Sequence, residues 1–170
     1  DPALLGRADG PEQRGLGAIS LEGLGVLRRF RQQLTIPVVT SRGAARLGIW
    51  VPSLGAYAVS KASTFGRRGG DPKRAKDLLY LHDLMEAGPE VVNRIESDLA
   101  EIGRDLSAAP HIRYAINALS LALDGGLRRL LPQAAEMLAE REPGLTMHRA
   151  EADVEGHLSD LLQLLQEHAD

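Results

Sequence analysis

The sequence predicts an α+β fold that is mostly helical: a short β-hairpin followed by a C-terminal helical bundle. Three observations carry this. Two runs rich in β-branched and aliphatic residues, 34–40 (LTIPVVT) and 46–51 (RLGIWV), lie close together with a stretch between them that can turn. Everything after Ser53 repeats its apolar residues at three- and four-residue spacing, the period of a helix with one buried face. Glycine and proline then cut that span at Gly66, Gly69-Gly70, Gly88-Pro89 and Gly125-Gly126 into helix-length pieces.

In chain order, residues 1–19 are glycine-rich with scattered charge and read as loop or extended arm, with a short strand at 16–19. From Ser20 the spacing of Leu21, Leu24, Leu27 and Phe30 or Arg31 predicts a helix, weakened at Gly23 and Gly25 by roughly 1 kcal/mol each. The two β runs follow, joined by a turn within 41–45. Pro37 cannot donate a ladder hydrogen bond, so its strand is an edge or carries a bulge. Two strands alone are marginal, which calls for more sheet than this chain offers.

Val51-Pro52 ends the second strand, because the residue before proline is held extended. Ser53 is the N-cap of a helix through Phe65. Asp71 as N-cap and Pro72 at the first helical position start the next, which runs to Gly88. Further helices are predicted over 89–104 (Val92, Ile95, Leu99, Ile102) and 108–123 (Ile112, Ile116, Leu119, Leu123). Another covers 127–141 (Leu127, Leu130, Leu131, Ala134, Leu138), with a kink or restart at Pro132. Thr146 caps a last helix to about residue 167, through Val154, Leu158, Leu161, Leu162 and Leu165, despite Gly156 within it.

Composition narrows the function. Aromatics make up 4% of the 170 residues, so the core is aliphatic. Cysteine is absent, which excludes disulfides and thiolate zinc sites. No signal-peptide pattern and no long apolar run occurs, and a cytoplasmic setting with no membrane partner is expected. Residues 1–87 hold 13 Lys/Arg against 8 Asp/Glu, and residues 88–170 hold 7 against 15. The basic half suits a phosphate-bearing partner. The chain opens Asp-Pro without an initiator methionine, and is expected to be the C-terminal piece of a longer protein.

One stretch carries chemistry. Val51-Pro52 is followed by a helix bearing a lone Lys61, a glycine-rich loop with Arg67 and Arg68, and a helix opening with Lys76-Asp77. This order resembles the abortive-infection-type nucleotidyltransferase-like proteins, of the polymerase-beta-like nucleotidyltransferase fold, over about residues 34–87. The resemblance implies that residues 1–52 are the remnant of a palm, a helix plus a hairpin from a larger sheet, and that 53–170 form a C-terminal helical domain. It implies a full-length protein that binds a nucleoside triphosphate with Mg2+, transfers a nucleotide to RNA or protein, and belongs to a toxin–antitoxin setting. It implies that Lys61, Arg67, Arg68, Lys76 and Asp77 lie at the nucleotide phosphates. Tyr80 departs from the pattern, which often has a second Asp there.

No catalytic residue is assigned. The family's Gly-Ser followed by Asp-x-Asp is missing, and Glu151-Ala-Asp153 lies in a helical pattern where i and i+2 do not face each other. This chain alone is therefore expected to be inactive and to hold no cofactor. The five histidines form no His–His i,i+4 pair and no H-E-x-x-H, so no metal ligand is assigned. No G-x-x-x-x-G-K-[ST] loop occurs. The basic loop has no aromatic interleaved with it, which argues against base stacking, and Trp50 reads as a core anchor. The alternative function is a non-catalytic helical module for protein interaction or homo-oligomerisation, offering an acidic, Leu-rich surface.

Overall fold

The computed structural model describes residues 24–41, 43–67 and 69–169. The expectations for residues 1–23, including the start of the first helix and the strand at 16–19, lie outside the described residues. Within them the architecture is the predicted one, a two-stranded antiparallel hairpin followed by helices. Helix α1 (Leu24–Arg29) is short and buries Val26. It ends where Phe30 donates its N–H to the Val26 carbonyl at 2.9 Å, and the chain becomes extended at Arg31.

Strands β1 (Arg31–Thr40) and β2 (Gly43–Pro52) are longer than the β runs suggested, and Ser41 lies in the turn that follows β1. Gly43 takes φ 112°, open to glycine at little cost. Pro37 lies in regular register opposite Arg46, without a bulge. Among the described residues each strand has one free edge, where a missing ladder donor is tolerated. Directly opposed residues share a face, so the register sorts the side chains. Leu34, Ile36 and Val38 with Leu47, Ile49 and Val51 form an apolar face. Arg31, Gln33 and Thr35 with Arg46 and Trp50 stand on the other, together with Pro37, Val39 and Ala44 toward the turn. Trp50 is not a core anchor: it is 58% exposed, and Arg31 packs over its ring at 4.7 Å.

The helical part is built around α2 (Leu54–Phe65), which packs against α1, α3 (Asp71–Glu86), α4 (Pro89–Gly103) and α5 (Ala109–Leu123). Its small residues make this possible, with Gly55, Ala56, Ala58, Ser60, Ala62 and Ser63 all buried. Ser53 caps it, accepting from the Ala56 N–H at 3.3 Å. Helices α6 (Leu130–Arg141) and α7 (Met147–Glu167) close the bundle against α3, and Thr146 caps α7. The fully buried large side chains are aliphatic apart from Phe65.

Two helix starts differ from expectation. Asp71 is the first residue of α3 and not its cap; Gly70 occupies the cap, and the Asp71 carboxylate goes to Arg129 at 3.0 Å instead. Helix α6 begins at Leu130, leaving Leu127 outside it. Pro132 therefore sits in the first turn, where its missing N–H costs nothing, and no kink is needed. Among the described residues, no helix is long and apolar enough to cross a membrane.

Candidate functional site

Lys61 lies toward the end of α2 and Asp77 in the second turn of α3, across the short break at 66–70. The fold brings them together: Lys61 Nζ donates to Asp77 Oδ1 at 2.8 Å. The Asp77 side chain is 1% exposed and that of Lys61 18%. The carboxylate is thus inside the bundle, and the lysine side chain is partly exposed. Tyr57, one helical turn before Lys61, places its ring centroid 5.8 Å from the ammonium, and Tyr80 of α3 places its own at 5.0 Å. Lys76 Nζ lies 5.6 Å from the same Tyr80 ring.

Tyr80 therefore gathers two ammonium groups on a ring quadrupole. An aspartate at that position would have gathered them with a full negative charge. The ring leaves two cations and one carboxylate, a net positive spot suited to an anion. The basic segment carries no interleaved aromatics in sequence, yet folding supplies Tyr57 and Tyr80 beside the lysines. It also supplies Tyr114 of α5, whose centroid is 4.6 Å from the Arg67 guanidinium. Of the five predicted residues, Lys61, Lys76 and Asp77 come together and Arg67 is turned toward α5. Arg68 lies outside the described residues.

Sequence reasoning missed two polar groups. Asp98 of α4 is buried and accepts from the Gly55 N–H at 3.1 Å, placing a carboxylate at the positive end of α2, with Arg94 at 3.0 Å balancing it. The second is His82, buried in α3, with Nδ1 3.3 Å from Asp83 Oδ1 and 3.9 Å from Glu86 Oε2. Donor atoms of these three residues lie within 4.8 Å of one another, the spacing of a cation site. His82 and Glu86 stand at i,i+4 spacing, a signal that His–His spacing alone does not show. Arg141 of α6 already balances the carboxylates, 2.8 Å from Asp83 and 4.0 Å from Glu86. The cluster thus ties α3 to α6. Burial pushes the Asp83 carboxyl up, but its hydrogen bonds to Arg141 and His82 outweigh this and hold it below the usual range. A cavity of about 300 Å3 lies beside His157, with Met85, Val92 and Leu164 in its wall, and includes none of the predicted residues.

His111 of α5 has its pKa lowered by burial, with a smaller push from the nearby Arg67 charge. Its folded form binds protons less readily than its unfolded form. Its contribution to stability is complete above about pH 6.5 and is lost as the pH falls below that value. Urea midpoints should therefore drop between pH 7 and pH 5, and His111→Gln should flatten that drop. An unchanged slope in the variant would remove His111 as the cause.

No family model matches the chain, and no curated protein or solved structure is significantly similar to it.

Proposed function

We propose that this chain is the C-terminal, helix-rich part of a cytoplasmic nucleotidyltransferase-fold protein, and that it supplies Lys61 to the phosphates of a nucleoside triphosphate. The observation that carries this reading is the Lys61–Asp77 pair: a partly exposed lysine steered by a buried carboxylate at 2.8 Å, beside a second ammonium on Tyr80. A lysine pinned in this way loses little freedom on meeting a phosphate, which favours binding. Lys76, on the same Tyr80 ring as Lys61, adds a second point charge. Among the described residues the outer edges of the hairpin are unpaired, which supports the reading too, since they offer pairing positions to the further strands of a palm sheet.

Mg2+ does not fit the residues of this site. The Asp77 carboxylate is nearly fully buried and its Oδ1 is held by Lys61, so a strongly hydrated cation does not reach it. The metal carboxylates of such a protein would come from its other strands, and no step is assigned to them here. Transfer of a nucleotide to RNA or protein remains part of the same proposal.

Calorimetric titration of a nucleoside triphosphate into the protein expressed from its complete gene tests the reading. Lys61→Gln should weaken binding about tenfold, the loss of one charge-assisted contact. Lys76→Ala, at an exposed position, should weaken it about threefold without touching the core. Equal affinity in both variants would remove this face from the nucleotide site.

The apolar hairpin face favours a second reading, a non-catalytic module that associates with a partner or a second copy. Leu34, Ile36 and Leu47 on that face are each exposed by 40% or more. Sedimentation separates the two: a monomer at high concentration counts against self-association.

A further inference from the structure

The face of the hairpin that carries Trp50 has no role in either reading. Its chemistry is set by an unusual stretch of sequence: no Asp or Glu occurs between Glu22 and Asp71. Arg31 and Arg46 stand on this face with Gln33, Thr35 and Trp50, and all five side chains are exposed. Among the described residues, neither arginine has a carboxylate within salt-bridge distance. The Arg31 guanidinium lies 4.7 Å from the Trp50 ring centroid. The Gln33 amide lies across Gly48, so close that a Cβ there would stand 2.6 Å from its Nε2. Arg46 and Trp50 are four residues apart on one strand, about 13 Å along the ribbon.

A broad exposed indole, a guanidinium stacked on it, an amide beside it and a second arginine further along form a set suited to a base and its flanking phosphates. We propose that this face of the hairpin binds single-stranded nucleic acid, with a base stacked on Trp50 and phosphates on Arg31 and Arg46. A membrane fits the face poorly, because Leu34, Ile36, Val38, Leu47, Ile49 and Val51 point the other way and Val39 alone among the ribbon's large aliphatic residues stands beside the arginines. A base-paired duplex fits poorly as well, because its bases are already stacked on one another. This surface involves neither Lys61 nor Asp77 and stands or falls apart from the triphosphate reading.

Trp50 is the only tryptophan in the chain, so its emission reports the contact directly. A short oligouridylate titrated into the full chain at about 50 mM salt should quench that emission saturably. Affinity in the variants is read from the anisotropy of a labelled strand, with helical circular dichroism as the folding control. Trp50→Ala should weaken binding about tenfold, in line with the loss of one stacked base. Arg31→Ala and Arg46→Ala should each lower the slope of log affinity against log salt by about 0.7, one phosphate apiece. A polyglutamate peptide should leave the emission unchanged. The absence of saturable quenching, or an unaltered affinity in Trp50→Ala, overturns the proposal. Equal binding of polyglutamate overturns it too and assigns the face to an acidic protein partner.

Discussion

Replacing Lys61 by Met should lower the unfolding free energy by about 3 kcal/mol, among the largest effects of any single change in this chain. The cause is the carboxylate left behind. Asp77 is almost fully buried, and its Oδ1 faces the Lys61 ammonium at 2.8 Å. Removing one partner of a buried pair strands the other, at about 3–5 kcal/mol, while replacing both with apolar groups of similar size is often close to neutral. The partial exposure of Lys61 places the expected cost at the low end of that range. Asp77→Leu alone should cost less, because the ammonium it abandons can turn to water. The double variant Lys61→Met/Asp77→Leu should recover at least half of the loss seen in Lys61→Met. Urea denaturation at neutral pH measures all three. If the two single costs simply add, the residues are not coupled and the pinned ammonium is no longer supported.

Gly55→Ala should also destabilise, by about 3 kcal/mol, where the same change in an open helix interior would stabilise by about 1 kcal/mol. A Cβ on Gly55 would stand 2.6 Å from the Asp98 Cβ and 3.1 Å from the Leu99 backbone nitrogen. Both neighbours belong to the body of α4, so no side chain can swing aside. The helices must separate, with an overpacking cost of about 1–3 kcal/mol. The hydrogen bond from the Gly55 N–H to Asp98 Oδ2 is lost with them, leaving a buried carboxylate short of a donor. Asp98→Asn keeps the shape and removes the charge at the start of α2, and should cost about 1 kcal/mol. Thermal melts of the two variants check this. A Gly55→Ala protein as stable as the parent would mean that α2 and α4 are not in close contact.

The helices were legible because their signals are local. The apolar stripe of Ile95, Leu99 and Ile102 needs only the helical period to be read, and all three are fully buried. Ser53 and Thr146 were identifiable as caps because a cap reaches only two or three residues ahead. Asp71 carried the same signature and misled, since the competing partner, Arg129, comes from a distant part of the chain. The hairpin was legible as two β runs and a turn, yet Trp50 was misread. A tryptophan in a strand looks the same to the sequence whether its face is covered or bare.

The sequence by itself determined the periodic helices, the aliphatic core and the two β runs of the hairpin. These follow from residue spacing and turn chemistry, which act over a few positions. The tertiary structure decided that Lys61 meets Asp77, that Tyr80 and Tyr114 lie against the basic residues, that Asp98 anchors α2, and that Trp50 faces outward. Each of these depends on which helix faces join or which sheet face stays uncovered, and close packing between distant segments settles that, not the period of any one segment.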